Sequence, residues 1–152
     1  MTVDQLEQIF QTISTVSSAI KQLNLSDIAD IHEIHPESLA IGINKLECFD
    51  FVNVGTDVFT EDQTKAIFKV MSQRTCLKML GTTSNVMPLE LMDNIKIVDP
   101  EILAKAVHNL VELKLDMEYS LTLPQYFAIF KKFGDSKSKI KKVFSQEEDI
   151  YL

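Results

Sequence analysis

Residues 2–14, TVDQLEQIFQTIS, return in altered form at 60–72, TEDQTKAIFKVMS, and at 122–134, TLPQYFAIFKKFG. Each copy opens on Thr, carries Gln three residues later and then an Ile-Phe pair: Gln5, Ile9 and Phe10; Gln63, Ile67 and Phe68; Gln125, Ile129 and Phe130. Thr-x-x-Gln is the pattern of a capping box, in which the hydroxyl accepts from the third helical N–H and the Gln reaches back to the N–H of the cap. Each threonine is therefore expected to open a helix. A second unit alternates with the first: residues 35–51, HPESLAIGINKLECFDF, align with 99–115, DPEILAKAVHNLVELKL. Here Pro36 and Pro100 mark the helix starts, because proline at the first helical position has the right φ and loses only an N–H that would be unpaired anyway.

An apolar hexamer follows each helix: IKQLNL from Ile20, LECFDF from Leu46, LKMLGT from Leu77, LVELKL from Leu110 and IKKVFS from Ile140, spaced by 26 to 33 residues. Their final positions alternate apolar with polar, a period of two that reads as a strand with one buried face. A helix and one strand cannot bury their apolar faces alone, so stacked copies are expected to do it for each other.

Repeats of this length, with a helix opposite an LxxLxL strand, resemble the long, ribonuclease-inhibitor-type class of leucine-rich repeats. The resemblance runs from Thr2 to about Gln146. It implies an α/β leucine-rich-repeat solenoid, with a parallel sheet of about five strands on the concave side and helices on the convex side. Residues 1–152 would form a single domain, with 146–152 as a C-terminal tail. There are departures. The family's Asn after the strand has no fixed place, Asn53 and Asn85 being the nearest, and Gly81 and Thr82 stand where the third hexamer should be apolar. The third repeat also carries a longer return segment, MPLELMDNIKI, expected to add core packing. A small open α/β sheet with helices on both faces is the competing fold, but GxGxxG and GxxxxGK[ST] are both absent.

Family likeness further implies a function: a non-enzymatic module that grips a protein partner with its concave sheet. Alternation along the strands assigns that face to Gln22, Asn24 and Ser26; Cys48, Asp50 and Val52; Met79, Gly81 and Thr83; Glu112, Lys114 and Asp116; and Lys142, Phe144 and Gln146. The last strand would present a bare edge, so either Ile150, Tyr151 and Leu152 fold back over it, or two molecules meet there in self-association, or the chain is part of a longer array.

Composition narrows the setting. The 152 residues are 45% hydrophobic and 24% charged, as in one compact domain or a short stack of repeats. No uncharged run approaches the ~18 residues of a membrane span. The opening MTVDQLEQIF puts acids where an export signal needs basic residues, so a cytoplasmic or nuclear location is expected. Cys48 and Cys76 are read as two free thiols and small buried hydrophobes. A net charge of −7 disfavours nucleic acid, with one local exception. Residues 131–142, KKFGDSKSKIKK, hold six lysines against Asp135. This is either a solvated helix end or, as an alternative function, a patch for an anion or nucleic acid, with Phe133 and Phe144 interleaved.

Chemical signatures are sparse. HEIH, from His32 to His35, invites a metal-dependent enzyme, but the spacing is three rather than four and Pro36 follows at once, so the segment reads as a loop. His108 falls near a helix end, where a cation would complement the dipole. No serine lies in G-x-S-x-G and neither cysteine has a nucleophile's context. Glu61, Asp62, Asp99 and Glu101 sit in first helical turns, where acids are stabilised without catalysis. No catalytic residue, cofactor or metal is expected.

Overall fold

The computed structural model describes residues 1–15, 20–24, 30–50, 59–77, 79–81, 87–88, 93–110, 112–114, 121–135, 137–144 and 149–151. Five α-helices dominate them: α1 (Val3–Thr15), α2 (Pro36–Lys45), α3 (Glu61–Gln73), α4 (Pro100–Val107) and α5 (Leu123–Lys131). Each begins where a cap was expected. Thr60 and Thr122 accept from the N–H groups of Gln63 and Gln125, and both glutamines return the bond to the cap. Thr2 and Gln5 pair in the same way. Pro36 and Pro100 open α2 and α4, and the Asp99 carboxylate additionally accepts from the N–H groups of Glu101 and Ile102.

Consecutive helices pack in chain order, α1 on α2 through to α4 on α5. Their shared interior is a continuous apolar core including Leu6, Phe10, Ile43, Ile67, Phe68, Leu103 and Ile129. Two glutamines are fully buried in it. Burying an amide is costly unless each polar atom finds a partner, and both glutamines achieve that. Gln63 Nε2 donates to the carbonyls of Ile31 and Ile34 at 2.9 and 2.8 Å, while its Oε1 accepts from Thr60 N–H. Gln125 Nε2 donates to Ile95 and Val98 at 2.9 and 2.7 Å, and its Oε1 accepts from Thr122 N–H. The capping glutamine therefore also clamps the 3-10 turn that precedes the neighbouring helix, Ile31–Glu33 in one unit and Asp93–Ile97 in the other. Gln5 is exposed and makes the capping bond alone among the described residues.

The expected leucine-rich-repeat solenoid, built on one parallel sheet of about five strands, is not what the chain forms. Strand pairing is confined to stretches of two or three residues: β1 (Gln22–Asn24), β2 (Cys48–Asp50), β3 (Met79–Gly81), β4 (Met87–Pro88), β5 (Glu112–Lys114), β6 (Lys142–Phe144) and β7 (Asp149–Tyr151). They divide into two ladders, β1-β2-β3 and β4-β5-β6-β7. The first is parallel; the second ends with β7 antiparallel to β6. β3 and β4 lie near each other with no ladder between them among the described residues. The break falls where Gly81 ends β3 and Pro88, which has no N–H to donate, sits in β4. Helix packing, rather than a continuous sheet, organises the molecule.

Two smaller expectations are met. β7 pairs along β6, so of the outcomes open to the last strand the fold-back that brings Ile150 and Tyr151 against it is the one formed. The return segment at 87–97 supplies β4 and the Asp93–Ile97 turn, burying Ile95 and, just beyond it, Val98.

Candidate interaction surface and basic cavity

The repeat makes α5 the odd helix. Leu123, Phe127 and Phe130 are spaced i, i+4, i+7, which places them on one helical face. They are 66%, 67% and 49% exposed. Aligned with α3, Leu123 and Phe127 replace Glu61 and Lys65, and Phe130 matches Phe68. Phe10 and Phe68, at the third of these positions in α1 and α3, are both 0% exposed. Phe10 lies so close to Gly42 of α2 that a Cβ there would stand 2.8 Å from its ring. α5 thus exposes three large apolar side chains at positions where α3 has two charged residues and a buried Phe. It also contains no acid, and its last turn holds the exposed Lys131.

From this stripe an aromatic path leads inward. Tyr126 stacks on Phe130 at 6.5 Å between centroids, Phe130 tilts against Phe133 at 5.8 Å, and Phe133 meets His108 edge-on at 4.8 Å. His108 is buried at the end of α4. Its Nε2 lies 2.8 Å from the Ile129 carbonyl and its Nδ1 2.6 Å from Ser138 Oγ. A carbonyl only accepts, so Nε2 carries the proton and the neutral ring accepts at Nδ1 from the Ser138 hydroxyl. Burial pushes the His108 pKa below its ordinary value, and the nearby Lys132 adds to that; the Ile129 bond and Asp135 oppose it. The expected cation on the helix dipole is therefore replaced by a neutral hydrogen-bonding ring. Asn44, its counterpart in the repeat, does the same job by donating from Nδ2 to the Ile67 carbonyl at 3.2 Å.

Beside His108 opens a cavity of about 280 Å³ lined by Ser72, Lys105, Asn109, Lys132, Asp135, Lys137 and Ser138. Asp135 Oδ1 accepts from the Lys137 N–H at 3.0 Å, fixing the turn, and Asn109 Nδ2 donates to the Met71 carbonyl at 2.8 Å. None of the three lysines forms an ion pair among the described residues. The exposed Lys131, Lys139 and Lys141 continue the positive surface.

Of the residues assigned to a gripping face, backbone pairing sets Gln22, Cys48 and Met79 side by side, and Asn24, Asp50 and Gly81 likewise. Glu112 stands opposite Lys142 and Lys114 opposite Phe144, but on the second ladder, so the face is divided. Val52 and Asp116, with Ser26, Thr83 and Gln146, lie outside the described residues. Cys76 is exposed, contrary to the buried hydrophobe expected. His32 is half-exposed beside Glu33, and the His35 N–H donates to the Glu7 carboxylate. Among the described residues no group of three or more His, Cys, Asp or Glu could hold a metal ion. No described helix is long and apolar enough to cross a membrane.

Sequence reading missed the α5 stripe, although replacement of Glu61 and Lys65 by Leu123 and Phe127 was open to inspection. Comparison with known proteins found no match among family models, curated proteins or solved structures. The leucine-rich-repeat resemblance is thus corrected by the helix-dominated fold.

Proposed function

We propose that the chain is a non-enzymatic protein-interaction module of the cytoplasm or nucleus, and that its partner docks as an acidic amphipathic helix across the free face of α5. The observation that carries this reading is the contrast between Phe130, half exposed, and the fully buried Phe10 and Phe68 of the same repeat position. Inside the molecule, helices of this type bury that position against a neighbouring helix, so a helix is the shape that fits. Charge complementarity selects its sign: α5 holds no acid, and Lys131 and Lys139 are exposed at and beyond its end.

The test is an amide-resolved NMR titration of the whole protein with a synthetic acidic amphipathic helical peptide. Shifts should centre on 123–134 and weaken with salt, and Leu123→Asp with Phe127→Asp should cut affinity more than tenfold, since buried aromatic anchors dominate such contacts. Shifts confined to the rows of Gln22, Cys48 and Glu112 would move the partner to the strands and overturn the proposal. Concentration-dependent dimers abolished by the same two substitutions would assign the face to a second copy instead.

A further inference from the structure

We propose that the lysine-lined cavity beside His108 is a binding site for a phosphoryl-type oxyanion. It is separate from the α5 face and stands or falls independently of it. Lys105 comes from α4, Lys132 from the 3-10 turn after α5 and Lys137 from the turn beyond, so three elements deliver positive charge to one hollow. In a chain of net charge −7, lysines that converge with no ion pair among the described residues repel one another, and an anion between them relieves that cost. The one acid in the lining, Asp135, is tied by one carboxylate oxygen to the Lys137 N–H, an arrangement that sets the turn.

Size restricts the ligand. At about 280 Å³ the hollow lies just below the ~300 Å³ at which sites for drug-sized molecules begin, so it suits a phosphate group with little attached to it rather than a large cofactor. The floor is rigid: the His108 ring is held between Ser138 and the Ile129 carbonyl and braced by Phe133. Lysine ammoniums, point charges with three donors each and no acceptor, suit a tetrahedral oxyanion.

The experiment is calorimetric and NMR titration of the full chain with inorganic phosphate, at ionic strength matched by chloride. Saturable shifts are expected at 105, 108, 132, 137 and 138. Lys132→Gln and Lys137→Gln should each weaken phosphate about fivefold, and Lys65→Gln, on the outer side of α3, should change nothing. Co-sedimentation with phosphatidylcholine vesicles, with and without phosphatidic acid, distinguishes a lipid headgroup from a soluble phosphate ligand. Binding to the acidic vesicles that is lost in both Gln variants identifies the former, and phosphate binding without vesicle binding the latter. A response to phosphate no greater than to chloride, or equal responses from native protein and Gln variants, overturns the proposal. Loss of the peptide titration at α5 with phosphate binding intact would sink the partner reading and leave this one standing.

Discussion

Replacing Gln63 by Leu isolates the clamp that joins neighbouring units. The change keeps nearly the same volume and removes three hydrogen bonds: two from Nε2 to the Ile31 and Ile34 carbonyls and one accepted from Thr60 N–H. The two carbonyls do not suffer equally. Ile31 O also accepts from the Ile34 N–H at 3.2 Å, so it keeps a partner, whereas Ile34 O keeps none among the described bonds. A stranded buried acceptor costs about 1–3 kcal/mol, and the lost cap about 1 kcal/mol. The half-satisfied Ile31 carbonyl adds less than a full bond, and the new apolar burial recovers ~1 kcal/mol. The net loss is then about 2–3 kcal/mol, a large part of the 5–15 kcal/mol that domains typically have. Urea unfolding followed by circular dichroism reads it as a shift in midpoint at unchanged slope. Gln5→Leu is the internal control, since its capping bond stands alone and should cost ~1 kcal/mol or less. Gln125→Leu should match Gln63→Leu, because Ile95 O keeps a bond from Val98 N–H just as Ile31 O keeps one from Ile34. If Gln63→Leu costs no more than Gln5→Leu, the clamp contributes nothing and the reasoning fails.

Gly42→Ala should lose stability by about 1 kcal/mol: the gain in helix propensity is outweighed by a Cβ placed 2.8 Å from the Phe10 ring and 3.3 Å from its carbonyl. Combining it with Phe10→Leu should recover part of the loss on top of the second change, and strict additivity in the double-mutant cycle would show that the contact is not the cause. His108 contributes a pH dependence whose sign follows from its lowered pKa. The unfolded chain binds the proton first as pH drops below the ordinary value of 6.5, so this contribution is complete above that value and shrinks below it, levelling off beneath the folded-state pKa. Lys132 works in the same direction and Asp135 against it. His108→Asn, which installs the residue used at the equivalent Asn44, should flatten the acid side of the urea-midpoint profile, and an unaltered profile would refute the neutral buried ring.

Local chemistry was legible because it lies within a few residues. Thr-x-x-Gln and Pro-Glu state where a helix starts, and the helices begin there, since a capping box needs only its own four residues. The sheet was not legible in the same way. The period-two hexamers are real strand signals, yet a ladder also depends on what the neighbouring segment can donate. The ladders part between β3, which ends at Gly81, and β4, which ends at Pro88, a point that pattern counting treats as one weak repeat among five. The basic segment was visible as composition. Its convergence with Lys105, from a helix about 30 residues earlier, required the fold.

The deepest signal that pattern reading passed over is the equivalence of Asn44 and His108. Aligned, the two look like unrelated polar residues near a helix end, and the second invites a dipole argument that its burial undermines. In space each sends one N–H to the carbonyl of the Ile in the next helix, Ile67 in one unit and Ile129 in the other. What the repeat preserves is therefore a donor at a fixed place, not a side chain or a charge. An amide satisfies that requirement with one nitrogen. An imidazole satisfies it and has a second nitrogen to spare, which here reaches Ser138 and holds the turn that carries Lys137. Substituting a two-ended ring for a one-ended amide is thus what couples the interior of the C-terminal unit to the wall of the basic cavity. The N-terminal unit, with Asn44 Nδ2 turned to Ala40 and Ile67, makes no such outward bond among the described residues.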